Sequence, residues 1–293
     1  MGKKGKKALA GKPKKLTPKD VGKRLDVLVK KLKEELEGAD LFKPVPPTED
    51  CAICLVPLSR VAANSIYFAC CGNFICVGCV EENQALIKKR NEENGTKDKD
   101  TCPFCREPRP SPAEHVRQLE ARAAKNDYNA LAMMGDAFRR GRFGRAKDDL
   151  KALDCWIQAV ELGSPGACKD IGECYFEGWG VSKDMERSDF FLRVGALRGQ
   201  ISARHNIGCS EYGLGNHEIG IHHWKIAAEA GHQLSLNELR RIFNADGKMP
   251  GKELISKEEM DTAYRSGHEA QMEVKTEERE KHCTGNDAAT MKC

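Results

Sequence analysis

The chain has 293 residues, of which 31% are charged and only 6% aromatic, and a formal net charge of +4. That length holds two domains of ordinary size, and so few aromatics argue for a small module joined to helical segments over one large core. No apolar run approaches the roughly 18 residues of a membrane span, and no apolar segment follows the charged N-terminus as a secretory signal requires. Lys6 stands where a myristoylation motif prefers Ser or Thr, and Cys293 is not in a prenylation box. A soluble, intracellular protein, cytoplasmic or nuclear and without a membrane partner, is expected.

Residues 1–19 carry eight lysines (Lys3, Lys4, Lys6, Lys7, Lys12, Lys14, Lys15 and Lys19) and no acid, so the basic excess is largely an N-terminal arm. Residues 1–16 have the composition of a disordered tail. The arm reads either as a nuclear-targeting or nucleic-acid patch or as a solubilising tail. Nucleic-acid binding would rest on this arm alone and is not expected. Thr17-Pro18 then reads as a helix start, with Thr17 as N-cap and Pro18 in the first turn. Val21, Leu25, Leu28, Val29, Leu32 and Leu36 recur at helical spacing and Gly38 stops the run, giving an amphipathic helix over 17–38. Residues 39–48, with Pro44, Pro46 and Pro47, form a linker.

Eight cysteines follow in four pairs: Cys51/Cys54, Cys70/Cys71, Cys76/Cys79 and Cys102/Cys105. Three are C-x-x-C, a turn that lets two thiolates hold one tetrahedral metal ion with sulfur about 2.3 Å away. Four pairs complete two sites and leave no position open for substrate or water. A reducing compartment favours zinc over disulfides for such a cluster, so 49–110 is expected to be a folded module holding two structural zinc ions. Iron–sulfur ligation needs four cysteines in a different register. A thioredoxin-like motif would need a βαβ context that is missing.

The cysteine arrangement resembles the RING finger family in its all-cysteine variant. The resemblance implies a small α+β cross-brace in which alternate pairs share a metal: Cys51, Cys54, Cys76 and Cys79 at site one, and Cys70, Cys71, Cys102 and Cys105 at site two. It also implies a strand at Ile66–Phe68 and a helix from Val80 onward. Most RING fingers have a His in the second pair, after Cys-Gly; here Asn73 follows Cys71-Gly72. The all-cysteine variants use a Cys where Cys71 stands, so both adjacent cysteines are taken as ligands, with Asn73 or a water as the alternative. The 22 residues before Cys102 include Asn94-Gly95 and read as a long exposed loop.

RING fingers of the ligase class recruit a ubiquitin-charged conjugating enzyme and act by positioning, without a covalent intermediate. Three positions match that pattern. Ile53 is the apolar anchor, Pro103 a second contact, and Arg106 the cation that bridges to ubiquitin. Asn83 stands where many active ligases carry a Trp against the conjugating enzyme.

Beyond the module the texture changes. Ala130-x4-Gly135, Ala167-x4-Gly172 and Ala203-x4-Gly208 recur at intervals of 37 and 36 residues. Each is followed by a second helix ending in glycine: Trp156-x6-Gly163, Leu192-x6-Gly199 and Trp224-x6-Gly231. Such a period predicts an all-α helical-repeat solenoid over 113–247, with Trp156 and Trp224 filling grooves between units. Gly178-Trp179-Gly180-Val181 is the turn of the second unit, and Asp184 opens the next helix. Cys155, Cys168, Cys174 and Cys209 read as buried small residues, and His222-His223 has no matching pair for a metal. A fourth unit begins around Leu236. Ser256-x-x-Glu259 is a capping box for a C-terminal capping helix placed at 252–281, with Met260, Ala263, Tyr264 and Val274 toward one face. Residues 282–293 are read as a disordered tail.

This region resembles the Sel-1-like relatives of tetratricopeptide repeats over roughly 121–247, most clearly at Tyr175-x2-Gly178-x-Gly180-Val181 and Trp224-x2-Ala227-Ala228-x2-Gly231. The first unit departs from the pattern, with Arg139 to Arg145 in place of the glycine turn, and the third is short after Gly215. The resemblance implies a concave face that binds a protein substrate or partner. Together the two halves imply a RING-type ubiquitin-protein ligase with a target-binding arm. The alternative is a non-enzymatic zinc-binding scaffold.

Overall fold

The computed structural model describes residues 16–58, 65–245 and 249–272. The N-terminal arm up to Lys15, Val274 and the C-terminal tail lie outside them. Helix α1 (Pro18–Leu36) starts as its sequence dictates. The Thr17 hydroxyl accepts from the Asp20 N–H, and the Asp20 carboxylate accepts from the Thr17 N–H. Its buried stripe of Val21, Leu25, Leu28 and Leu32 joins the main core, and Leu16, assigned to the tail by composition, packs beside it.

The cysteine module holds one antiparallel hairpin, β1 (Ser65–Phe68) and β2 (Asn73–Cys76), registered Ser65 to Cys76 and Phe68 to Asn73. Helix α2 (Val77–Asn94) begins three residues earlier than expected, with Cys76 at its N-cap. It also runs to Asn94, so most of the stretch read as an exposed loop before Cys102 is helix. Gly95, at φ +64°, ends it in a left-handed cap.

The rest is a solenoid of antiparallel pairs. Helix α3 (Pro112–Ala123) leads into α4 (Tyr128–Arg140) with α5 (Asp149–Glu161), α6 (Pro165–Glu177) with α7 (Met185–Leu197), and α8 (Ile201–Gly213) with α9 (His217–Glu229). Helix α10 (Gln233–Phe243) and helix α11 (Lys257–Met272) close the end, packed on α9. The capping box forms as read, Ser256 N–H donating to Glu259 and Glu259 N–H to Ser256. The terminal helix therefore starts at Lys257 and not at 252, where a short 3₁₀ turn stands instead.

Two further expectations are refined. Trp156 and Trp224 fill space inside their units as well as toward the next: Gly135 faces Trp156 and Gly208 faces Trp224, while Trp156 also lines a concavity with Asp170 and Glu173 of α6 and Trp224 shares a core cluster with Leu236 and Leu239 of α10. The glycine of each first helix makes a notch for the indole of its own second helix, whose N–H donates to Ala132 or His205. In the middle unit Gly172 receives Leu192. The first unit also keeps a glycine turn, because Gly141 caps α4 at φ +64°. Arg139 lies instead over the Trp179 ring, 3.5 Å from its centroid.

The 39–48 linker is gripped by the repeats. Arg204 on α8 is only 1% exposed and donates to the carbonyls of Leu41 and Lys43. The Phe42 ring packs at a tilt against His222, 4.4 Å between centroids, and against His223 at 5.1 Å. Pro46 covers Gly199. Helix α1 adds a paired Arg198–Glu35 contact at 2.8 Å and Arg187–Asp26 at 2.8 Å. Helix and linker thus form a strap along α5, α7 and α9.

A helix glycine replaced by alanine ordinarily gains about 0.5–1 kcal/mol. At Gly208 an added Cβ would meet the Trp224 ring at 2.6 Å and the Gly220 carbonyl at 3.0 Å, so overpacking of about 1–3 kcal/mol wins. Urea unfolding should show Gly208→Ala destabilised and Gly22→Ala, where nothing lies within 4 Å, stabilised.

Candidate metal centre

The eight cysteines converge as two tetrads: Cys51, Cys54, Cys76 and Cys79, and Cys70, Cys71, Cys102 and Cys105, with the sulfurs of each within 4.8 Å of one another. Their nearest sulfur pairs lie at 4.0 Å (Cys51–Cys79), 3.9 Å (Cys54–Cys76), 3.8 Å (Cys71–Cys102) and 3.4 Å (Cys70–Cys105). A disulfide would need about 2.05 Å. A tetrahedral tetrathiolate site with metal–sulfur bonds of about 2.3 Å sets its sulfurs about 3.8 Å apart. The donor set therefore fits a thiophilic metal ion such as zinc. The adjacent Cys70 and Cys71 both place sulfur in the second tetrad, while Asn73 begins β2.

The protein alone leaves these thiols electrostatically mismatched. Thiol donors at Cys76 and Cys79 hold the Cys51 thiol well below its ordinary value, while burial pushes Cys54 up to about 12, helped by the charges of Cys51 and Cys76. Burial likewise raises Cys70. Four ionised sulfurs at these distances repel, and a bound divalent cation turns that repulsion into attraction.

The backbone explains how each C-x-x-C aims its sulfurs. In the first loop Cys51 N–H donates to Val56 and Leu55 N–H to Cys51. In the last, Cys102 N–H donates to Glu107 and Arg106 N–H to Cys102. Both loops close with a short antiparallel bridge, Asp50 to Pro57 and Thr101 to Pro108. Both also put a non-glycine residue in the left-handed region directly after the second cysteine, Leu55 at φ +56° and Arg106 at φ +64°. That conformation costs roughly 1–2 kcal/mol per residue. The two loops are structural equivalents, which makes Leu55, 72% exposed, the counterpart of Arg106.

Among the residues singled out from sequence, Ile53 is half-buried against the cysteine core and Pro103 is buried. Arg106 is exposed, with Nη1 donating to the Asn83 side-chain oxygen at 2.8 Å. Asn83 is 7% exposed and gives its own amide N–H to the Thr101 carbonyl at 3.1 Å. It is a buried tie between α2 and the last cysteine loop, not an exposed contact. Nothing local in the sequence signals this, because the partners lie 18 and 23 residues away.

A second unforeseen residue is Arg122 on α3. It donates to the Ala69 and Cys70 carbonyls, each at 3.3 Å, and covers Gly72, which sits at φ +79°. Tyr67 donates to Asp127 at 2.6 Å, and Tyr67, Ala69, Leu119 and Ala130 share a small core. The turn that carries the adjacent cysteines is therefore shaped from the repeat side. Of the four repeat-region cysteines, Cys155, Cys168 and Cys174 are buried as expected, but Cys209 is exposed, 3.5 Å from His205 Nε2.

In comparisons with known proteins, the Sel1 repeat family matches at residues 129–164, 165–193 and 201–232, the three helix pairs beginning at α4. The helical region therefore carries Sel1 repeats, over a narrower span than the sequence resemblance indicated. No curated protein matches the chain. Similar solved structures include a Sel1 repeat protein from Oxalobacter formigenes, 28% identical over 54% of this chain and 64% of that one, with a TM-score of 0.46. This chain thus spans less than two thirds of that protein. Others are an immunity protein from Pseudomonas aeruginosa (15% identity, 66% and 83% coverage, TM-score 0.33) and a protective antigen of uropathogenic Escherichia coli (19%, 71% and 52%, TM-score 0.28). Among the described residues no helix is long and apolar enough to cross a membrane.

Groups that orient a ligand from behind typically shift metal affinity ten- to a hundredfold. Arg122→Ala should therefore weaken the Cys70/Cys71/Cys102/Cys105 site by about tenfold and leave the other site unchanged. Competition with a chromophoric chelator would show two release steps moving apart; two steps that stay together would contradict the role given to Arg122.

Proposed function

We propose that the two tetrads hold zinc ions and that the module is a RING-type cross-brace recruiting a ubiquitin-conjugating enzyme, with the Sel1 repeats binding the protein substrate or partner. The zinc ions have a structural part only: with four sulfurs each they stiffen the loops and leave no position for chemistry. The observation that carries the reading is the last cysteine loop. Arg106 follows the final ligand, its backbone forced left-handed and its guanidinium tied to Asn83. Guanidinium has five donors in a fixed fork, and the bond to Asn83 Oδ1 fixes how that fork is presented beside the last cysteine loop.

On this reading Ile53 supplies the apolar contact with the conjugating enzyme, the buried Pro103 shapes the loop behind it, and Arg106 holds the bound ubiquitin so that the thioester is open to attack. Positioning of this kind lowers the barrier without a covalent intermediate. A second reading is supported by Asn83 itself. A buried polar residue occupies the position where an aromatic would contact the conjugating enzyme, which suits a scaffold that assembles proteins and transfers nothing.

The experiment combines the full chain with ubiquitin, its activating enzyme and a panel of conjugating enzymes. Self-modification should appear with at least one of them. Ile53→Ala or Arg106→Ala should cut the rate at least tenfold while two metal ions per chain remain bound. Asn83→Ala, which removes the hydrogen bond from Arg106 Nη1, should cost about fivefold, the rate equivalent of ordering one long side chain at about 1 kcal/mol. Silence across the panel would favour the scaffold.

A further inference from the structure

Helices α6, α7 and α8 enclose a groove of about 680 Å³. Leu192 lies at its floor, and its walls carry large apolar side chains that nothing covers: Phe176 is 51% exposed, Met185 55% and Leu214 75%. Single exposed apolar residues are ordinary, but several lining one concavity mark a place where another molecule sits. The exposed thiol of Cys209 lies on the same wall.

The polar lining has one sign. Glu173, Glu177 and Asp189 face the groove, and among the described residues no lysine, arginine or histidine lines it. Glu173 is matched by Lys169 at 2.9 Å and Asp189 by Arg193 at 2.5 Å, both reaching in from outside the lining. Glu177 has no ion-pair partner among the described residues. Asn206 also lines the groove, and its side-chain amide makes no hydrogen bond among the described residues. An amide offers one acceptor and a donor pair side by side, which matches the carbonyl and N–H of an extended main chain.

From these features we propose that the groove binds an extended segment of a partner protein that presents a large apolar side chain next to lysine or arginine. The apolar side chain enters between Phe176, Met185 and Leu214, Asn206 pairs with the segment's backbone, and the cation meets Glu177. The proposal rests on the reading of the repeats as the partner-binding part and is independent of any ligase activity. The chain as a whole has a net charge of +4, so attraction of a cationic segment must come from this local field and not from overall charge.

The test uses the full chain and a fluorescein-labelled peptide of about ten residues, two central leucines flanked by lysines, read by fluorescence anisotropy. Two control peptides replace the lysines by glutamates or the leucines by alanines. Binding in the micromolar range is expected for the first peptide, at least tenfold weaker binding for both controls, and weakening with added salt. Glu177→Lys should reduce affinity at least tenfold and Asn206→Leu at least fivefold, with unchanged thermal melting of the helices. Binding that survives both substitutions overturns this groove but keeps the repeats as a partner-binding arm. Equal binding of the glutamate control, or none of the three peptides bound at millimolar concentration, overturns the stated chemistry. Self-association of the chain lost on Glu177→Lys, without peptide binding, assigns the groove to a second copy and overturns it as well.

Discussion

Four sulfurs drawn within 4.8 Å of one another, twice over and mostly away from water, carry a charge problem that the polypeptide alone cannot solve. Deprotonating all four invites repulsion, and keeping them protonated forfeits most of the reason for bringing them together. A divalent cation at the centre of each tetrad would remove the conflict and would make metal binding and folding of this segment a single event. The interleaving extends the constraint. Site one joins the first loop to the start of α2, and site two joins the hairpin turn to the last loop. The short hairpin, with four residues in each strand, is too small to be stable alone and depends on those links.

The same constraint reaches into the repeats. Arg122 satisfies carbonyls beside the adjacent cysteines, and Tyr67 and Leu119 share apolar contact. On the other side, α1 and the linker bind the solenoid before the chain enters the first cysteine loop. Burial of Val21, Leu25, Leu28 and Leu32 is worth about 1.5–3 kcal/mol for each side chain. The partly exposed ion pairs of α1 add about 0–1 kcal/mol each. Packing therefore holds the strap, while the charges fix its register. Arg204 goes further: a fully buried cation that donates to two backbone carbonyls commits the linker to one path. The module is consequently attached to the repeats at both its ends.

Much of this was legible in the sequence because it is written locally. Cysteine spacing marked four metal-binding pairs and the family resemblance joined them into tetrads, the 36–37-residue interval carried the helix pairs, and Thr17 and Ser256 announced their helices through caps that act over three residues. What escaped depends on distant partners. Trp156 meets a glycine 21 positions earlier in the chain and Trp224 one 16 positions earlier, so periodicity showed both residues without showing that they pair. Asn83 was noted only as standing where a Trp contacts the conjugating enzyme in the family that the cysteines resemble; its tie to Arg106 and Thr101 exists only once α2 lies across the last loop. Cys209 follows a helical pattern as well as Cys155 does, yet its face opens onto a groove that no pattern reveals. The extent of α2 was missed because its last seven residues, 88–94, are all polar and offer no apolar stripe.

All eight cysteines, adjacent pair included, are expected to ligate two ions in two all-sulfur sites. X-ray absorption at the zinc edge, measured on the full chain with its metal content determined in parallel, tests this most directly. The expected result is two zinc ions per chain and a first shell of four sulfurs at about 2.3 Å, with no lighter neighbour. A nitrogen or oxygen in the average shell, or a single ion per chain, would contradict it.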